Sequence, residues 1–214
     1  MFVSNGINFT GNIRERARIG GFAISRTSQL ALRLCVLLAM IAILLGATKG
    51  RAQSTQDEYR VKAAFLFHFA QLVSWPSNVP GDASNSFVLC TVGEDPFQGD
   101  LESTMAQKKI GSRMIHIRHV RSEQIRECTM LFVGQDEGGH LKDVLASLGN
   151  APILTVGETD DFLDAGGMIQ FLMEGNKIRF SINRRAAEQA HLTISSQLLL
   201  LAQTVIEPSE AGKK

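Results

Sequence analysis

Residues 166–202 read GGMIQFLMEGNKIRFSINRRAAEQAHLTISSQLLLLA, and the fold class turns on this stretch. Gly166-Gly167 makes a turn, residues 168–173 a strand, and residues 177–182 a second strand. Glu174-Gly175-Asn176 joins them as a short turn with a central glycine, which fits a β-hairpin with a left-handed position. The second strand alternates, with Ile178, Phe180 and Ile182 on one face and Lys177, Arg179 and Ser181 on the other. The first is apolar on both faces and belongs deeper in the sheet. Asn183 suits a helix N-cap and opens a short helix through Ala186, Ala187 and Ala190 that stops near His191-Leu192. His191 at that break suits a left-handed backbone. Thr193 is placed to cap a second helix carrying Ile194, Leu198, Leu199, Leu201, Ala202 and Val205, and the Leu198 to Leu201 run predicts deep burial. The stretch is a packing unit of hairpin against helix and holds no catalytic constellation.

Upstream, strands and helices alternate. EYRVKAAFLFHFAQLVSW, residues 58–75, predicts a helix ending near Val73 or Ser74, because Pro76 biases Trp75 toward extended geometry. From Ala63 this helix is apolar nearly all round, which predicts a sandwiched position and a core or boundary place for His68. A turn-rich linker over 77–85 leads to a buried strand at 86–92, a helix at 97–107 and an alternating strand at 109–120 with one wet face. Ser122 then caps a short helix, and a buried strand follows at 128–133. Gly138-Gly139 opens a helix over 140–148 that Gly149-Asn150 stops. A buried strand at 152–156 and one helical turn at 160–163 complete the series. The pattern is α/β: a layered single domain, its mixed sheet flanked by helices, ending in an antiparallel hairpin and C-terminal helices.

The N-terminus differs in kind. Arg14, Arg16, Arg18, Arg26 and Arg33 precede the apolar run Leu34 to Leu45, and small and polar residues follow to Gln53. This is the layout of a secretory signal peptide over residues 1–52, with Gly50-Arg51-Ala52 before the cut and an unusually long n-region. A membrane span needs about 20 apolar residues, more than Arg33 leaves. The α/β domain is then 53–206, and 207–214 is a polar tail. The mature chain keeps 15 basic and 20 acidic groups of the full 22 and 21, a formal charge of −5. Without a basic patch beyond Arg184-Arg185, this balance argues against nucleic acid as a partner.

Two cysteines remain after export, Cys90 and Cys128, each beside a strand-like run. A disulfide between them would close a loop worth roughly 4 kcal/mol in the chain-entropy model; the alternative is two buried thiols. The spacing excludes a Cys-x-x-Cys redox site. Val92-Gly93-Glu94-Asp95 puts two acids where a phosphate loop needs glycines. Asp160, Asp161 and Asp164 read as a solvated helix start rather than a cation site. Ser195 and Ser196 lack a nucleophile-elbow pattern, and His116 and His119 fall on opposite faces of a strand. No catalytic residue, metal or cofactor is expected.

VKAAFLFHFAQLVSWP (61–76), FVLCTVGEDPF (87–97), CTMLFVG (128–134), ILTVGETDDFLDAGGMIQF (153–171) and IRFSINRRAAEQAHLTISSQLLLLA (178–202) together resemble the YfiR family of periplasmic repressor proteins. The resemblance spans nearly all of the mature chain and rests on the order and spacing of these segments. It implies a periplasmic α/β protein that forms a homodimer, binds the periplasmic part of an inner-membrane diguanylate cyclase and holds it inactive, lowering cyclic di-GMP and biofilm growth. Family members use disulfides for folding and redox-dependent control, and Cys90 and Cys128 match one such pair. A second pair near Gly166-Gly167 is missing, and His191 stands where the family has glycine.

The resemblance and an exposed turn on a rigid scaffold together point to a partner-binding surface around Gly166-Gly167 and the start of the C-terminal helices. Its candidate contacts are Asp164, Met168, Arg184, Arg185 and Glu188. The competing expectation is that Gly166 and Gly167 only make a tight turn. The alternative function is a periplasmic small-molecule sensor, or an accessory protein for another membrane signalling protein, whose ligand would sit in a pocket of convergent polar groups.

Overall fold

The computed structural model describes residues 55–77 and 86–208, together with 33, 34, 36, 37 and 40. The chain forms two compact units, residues 1–49 and 50–214. In the first unit the five described residues are helical. Apart from these, the expected export leader lies outside the described residues, as do most of the linker and the end of the polar tail.

In the second unit, helix α1 covers residues 55–72 and passes into strand β1, Val73–Ser74. Strand β2 is Ser86–Val92, helix α2 Asp100–Met105, β3 Lys109–Ile110 and β4 Arg113–Val120. A 3₁₀ segment at Ser122–Glu127 precedes β5, Met130–Val133, and a second at Gln135–His140 runs into α3, Leu141–Leu148. Then come β6, Leu154–Gly157, and the hairpin of β7, Ile169–Glu174, and β8, Lys177–Asn183. Helix α4 is Arg184–Gln189, β9 Thr193–Ile194, α5 Ser196–Leu201 and β10 Val205–Ile206.

Among the described residues, eight strands form one mixed sheet in the order β10-β8-β7-β6-β5-β2-β4-β3. Strands β4, β2, β5, β6 and β7 run parallel, and the chain reverses its direction of travel across the sheet between β2 and β5. Antiparallel β8 pairs with β7, and β10 runs parallel to β8 at the edge. Alternation sends Phe87, Leu89, Phe132 and Val156 to the face packed by α1, α2, α4 and α5. Val88, Cys90, Val92 and Leu131 go to the face packed by the first 3₁₀ segment and α3. The expected α/β architecture is therefore present.

Several local expectations give way. Residues 109–120 are not one strand, because Gly111 adopts φ +60 and folds them into the β3–β4 hairpin. Strand β7 runs through Glu174, which leaves a turn of Gly175-Asn176 with Gly175 at φ +59. Ser122 makes no capping bond. Thr193 does not cap the last helix: Thr193–Ile194 pairs antiparallel with Val73–Ser74, and Ser195 accepts from Leu198 N instead. The short α5 buries Leu198 but leaves Leu200 and Leu201 exposed, so the leucine run is not a core stripe. Helix α1 buries one face, Ala63, Leu66, Phe69 and Ala70, while His68 is exposed, so the helix covers the sheet rather than being sandwiched. His191 does adopt a left-handed φ, +59, and Asn183 caps α4 by accepting from Ala186 N at 3.0 Å.

Candidate functional site

The turn from Glu158 to Gly167 is pinned from below. Gln170 Nε2 donates to Thr159 O (2.7 Å) and Asp160 O (3.1 Å), and Asn183 Nδ2 donates to Leu163 O (3.2 Å). The Phe162 ring is gripped between two glycines. A Cβ on Gly157 would lie 2.3 Å from one edge of the ring, and a Cβ on Gly167 2.2 Å from the other. Gly167 and Met168 are buried, and Met168 belongs to the core, so neither presents a side chain to a partner. Gly166, at φ +100, and Asp164 are exposed.

On α4, Arg185 and Glu188 are exposed and Arg184 is half-buried. Arg184 pairs with Glu188 at 2.9 Å and with Glu207 at 2.9 Å, and Arg185 Nη2 donates to Glu207 O at 3.4 Å. Both arginines thus fasten the segment after β10 to α4. Arg184, Arg185 and Glu188 are engaged within the chain, while Asp164, Arg185 and Glu188 are also exposed to solvent.

An apolar surface lies elsewhere on the same sheet face. Met173 and Ile178 are cross-strand partners in the hairpin. With Val61 and Phe65 of α1 they line a groove of about 670 Å³ rimmed by Asp57 and Lys177. The chain leaves α5 and bonds at once to the outer edge of β8, Gln203 N donating to Phe180 O at 2.8 Å. At that edge Leu200 and Leu201 are 86% and 65% exposed. Sequence reading assigned Phe65, Met173 and the leucine run to the interior and made no assignment for Val61.

A polar cluster that sequence reading missed sits at the carboxyl ends of the parallel strands. Lys62 of α1 is only 4% exposed. Its ammonium meets Glu158, just after β6, at 2.6 Å and Glu58 at 2.5 Å. The Tyr59 hydroxyl donates to the other Glu158 oxygen at 3.0 Å, and the ammonium lies 4.4 Å over the Tyr59 ring. Burial pushes the Tyr59 phenol above its ordinary range, and Glu158, Glu58 and Asp136 reinforce the shift by disfavouring a second negative charge. The available signal was a lysine and a tyrosine i, i+3 on the buried side of an apolar helix. A buried lysine needs a carboxylate opposite, but the sequence does not say which one.

Between β2 and β5, where doubly wound sheets hold anionic ligands, the chain places its own carboxylate. Asp136 accepts from Glu94 N at 2.8 Å, in space that a Cβ on Gly93 or Gly134 would fill. A further relay links Thr91 Oγ1 to His119 Nδ1 (2.6 Å) and His119 Nε2 to Glu102 (3.3 Å). Thr91 is fully buried, so its hydroxyl cannot meet a substrate and instead anchors His119. Among the described residues no group of three or more His, Cys, Asp or Glu is arranged to hold a metal ion. Cys90 and Cys128 are joined as a disulfide, Cα to Cα 5.9 Å, on the α3 face of the sheet.

The profile of the family described as YfiR/HmsC-like matches residues 59–203, from α1 to the end of α5. The chain belongs to the YfiR/HmsC-like family. No curated protein matches it significantly. Among solved structures, the ABC domain from Streptococcus pneumoniae in complex with L-Trp aligns at 13% identity and TM-score 0.44, over 57% of this chain and 56% of that one. A conserved domain protein from Vibrio cholerae aligns at 10% identity and TM-score 0.47, over 67% of this chain and 59% of that one. This YfiR/HmsC-like chain therefore spans little more than half of each structure's own length. At those scores they bear on neither ligand nor partner.

Proposed function

We propose that this protein is a periplasmic regulator that binds the periplasmic part of an inner-membrane diguanylate cyclase and holds it inactive. Family membership supports the regulatory, periplasmic reading. The observation that carries a binding role is exposed apolar side chains: Leu200 and Leu201 stand in solvent on α5, and Val61 and Met173 do so in the groove between α1 and the hairpin. Exposed apolar patches mark interaction sites, and the reading takes these two as parts of one docking surface. The partner's docking segment lies across the hairpin and α5, with Arg185, Glu188 and Asp164 as polar contacts on neighbouring elements.

The test uses the purified chain and the cyclase's periplasmic domain in a titration, with cyclic di-GMP measured in cells. Leu200→Asp with Leu201→Asp leaves folding within about 0.5 kcal/mol of the parent, since both side chains are exposed. It weakens partner binding at least about tenfold and raises cyclic di-GMP as gene deletion does. Unchanged affinity in a folded variant removes the apolar surface from the interface. A shift from dimer to monomer with partner affinity intact assigns the surface to a second copy of the chain.

A further inference from the structure

Outside the carboxyl ends of β5 and β6 lies a second cavity of about 420 Å³, with Lys62 and Glu158 at its base and Glu58, Gln135 and Asp160 around it. Leu172 and Met173 form its apolar wall. We propose that this cavity binds a small organic cation, an alkylammonium or guanidinium head on a short apolar body. The cavity stands where open α/β sheets hold ligands, beyond the ends of parallel strands. It also joins convergent polar groups to an apolar wall.

The donor and acceptor inventory sets the ligand's charge. The Lys62 ammonium is held by Glu158 and Glu58, and both Glu158 oxygens are engaged, one by Lys62 and one by the Tyr59 hydroxyl. What remains is the second Glu58 oxygen, the Asp160 carboxylate and the Gln135 amide, side-chain groups without a partner among the described residues. Two of these three are carboxylate acceptors. A head that only donates, as ammonium and guanidinium do, satisfies them with charge-assisted bonds. An anion would meet three carboxylates against one ammonium and be repelled. Leu172 is half-buried and Met173 exposed, so the apolar body lies along the outer part of β7. Tyr59, whose phenol burial and Glu158 push upward, marks the same place as electrostatically unusual. The inference does not rest on the cyclase reading: although the cavity shares Glu58 and Met173 with the apolar groove, its other polar groups are its own and it is tested without a partner.

The experiment titrates the purified full chain with hexylamine, agmatine and hexanoate by calorimetry and thermal unfolding. Hexylamine and agmatine bind saturably and raise Tm, whereas hexanoate, with the same apolar body as hexylamine, does neither. Asp160→Asn, at an exposed position, keeps the urea midpoint and weakens amine binding by about tenfold. Three results each overturn the proposal. They are equal effects of hexylamine and hexanoate, no saturable binding of either amine, and an Asp160→Asn protein that binds amines as the parent does.

Discussion

Gly167→Ala asks whether the Gly166-Gly167 turn is a contact or a packing device, and the structure sets the size of the effect. A Cβ at Gly167 would meet Phe162 Cε1 at 2.2 Å, Cδ1 at 2.3 Å and the Phe162 carbonyl oxygen at 2.7 Å. The ring cannot slide away, since its opposite edge already fills the space of a Gly157 Cβ, and Phe162 is fully buried. The carbonyl is backbone and is tied down as well, accepting from Gly167 N at 2.9 Å. Overpacking a core position costs about 1–3 kcal/mol, and with both neighbours fixed the loss falls near about 3 kcal/mol. For a chain of this size that lowers Tm by roughly 6–12 °C. Urea unfolding followed by circular dichroism reads it as a lower midpoint at unchanged slope. Phe162→Leu removes the ring's outer carbons, so the double variant should recover at least about 1 kcal/mol relative to the sum of the single losses. Gly167→Ala within about 0.5 kcal/mol of the parent, or strict additivity in the cycle, would refute the grip on Phe162. So would a fully stable Gly167→Ala that had lost its partner, which would make Gly167 a contact after all.

Tyr59 is the only tyrosine, so alkaline absorbance at the tyrosinate band reports it alone. Its phenol is raised above the ordinary value of 10.0, so the unfolded chain ionises first. The associated stability is complete below about pH 10 and is lost as pH rises beyond it. The native protein should show no tyrosinate until it unfolds, and a reversible titration centred near 10 would contradict the Glu158 contact. Reducing Cys90–Cys128 opens a loop of 38 residues and should cost about 4 kcal/mol, seen as a fall in the urea midpoint with reductant; an unmoved midpoint would argue that the bridge does not constrain the unfolded chain. Lys62→Met leaves the buried Glu158 carboxylate without its cation, held by the Tyr59 hydroxyl alone, and should cost about 3–5 kcal/mol. Adding Glu158→Gln should restore part of that loss, and a double variant no better than Lys62→Met would show the two groups are uncoupled.

Pattern carries furthest where local chemistry and tertiary packing agree. Residues 177–182 alternate as the outer strand of a hairpin must, and Asn183 caps because its oxygen reaches the third residue of the helix it opens. The buried runs at 86–92 and 130–133 are interior parallel strands, and such strands read as unbroken apolar sequence. The failures have physical causes too. Lys109–Ile110 and Arg113–Val120 share an alternation that hides the hairpin, because Gly111-Ser112 is too short to break the period visibly. Thr193 has the side chain of a cap, but antiparallel pairing of Thr193–Ile194 with Val73–Ser74 claims its backbone, a contact across 120 residues that no local signal announces. The leucines at 198–201 look like core because hydrophobicity records transfer cost, and only the fold shows which faces have something to pack against.

The proposed binding surface overlaps only in part with the contacts expected from the sequence, and the difference changes how it should be probed. Arg184-Arg185 stands out in the sequence as the arginine pair of the exported domain, so charge reversal there is the obvious experiment. In the structure, however, Arg184 holds Glu188 and Glu207 together, and Arg185 holds the Glu207 carbonyl. Glutamate at both positions would set like charges against Glu207 and loosen β10, whose only strand partner among the described residues is β8. Partner binding could then fall because the sheet edge frays, with no arginine in the interface. Leu200 and Leu201 lack that ambiguity: they are exposed, and their replacement alters the surface with little effect on the core. A variant at Arg185 alone, with the Arg184 pairs kept, completes the comparison. If Arg185→Ala matches the leucine variants in lost affinity at unchanged stability, α4 and α5 form one interface. If it leaves affinity intact, the interface is the apolar one, and the arginine pair belongs to the edge of the sheet.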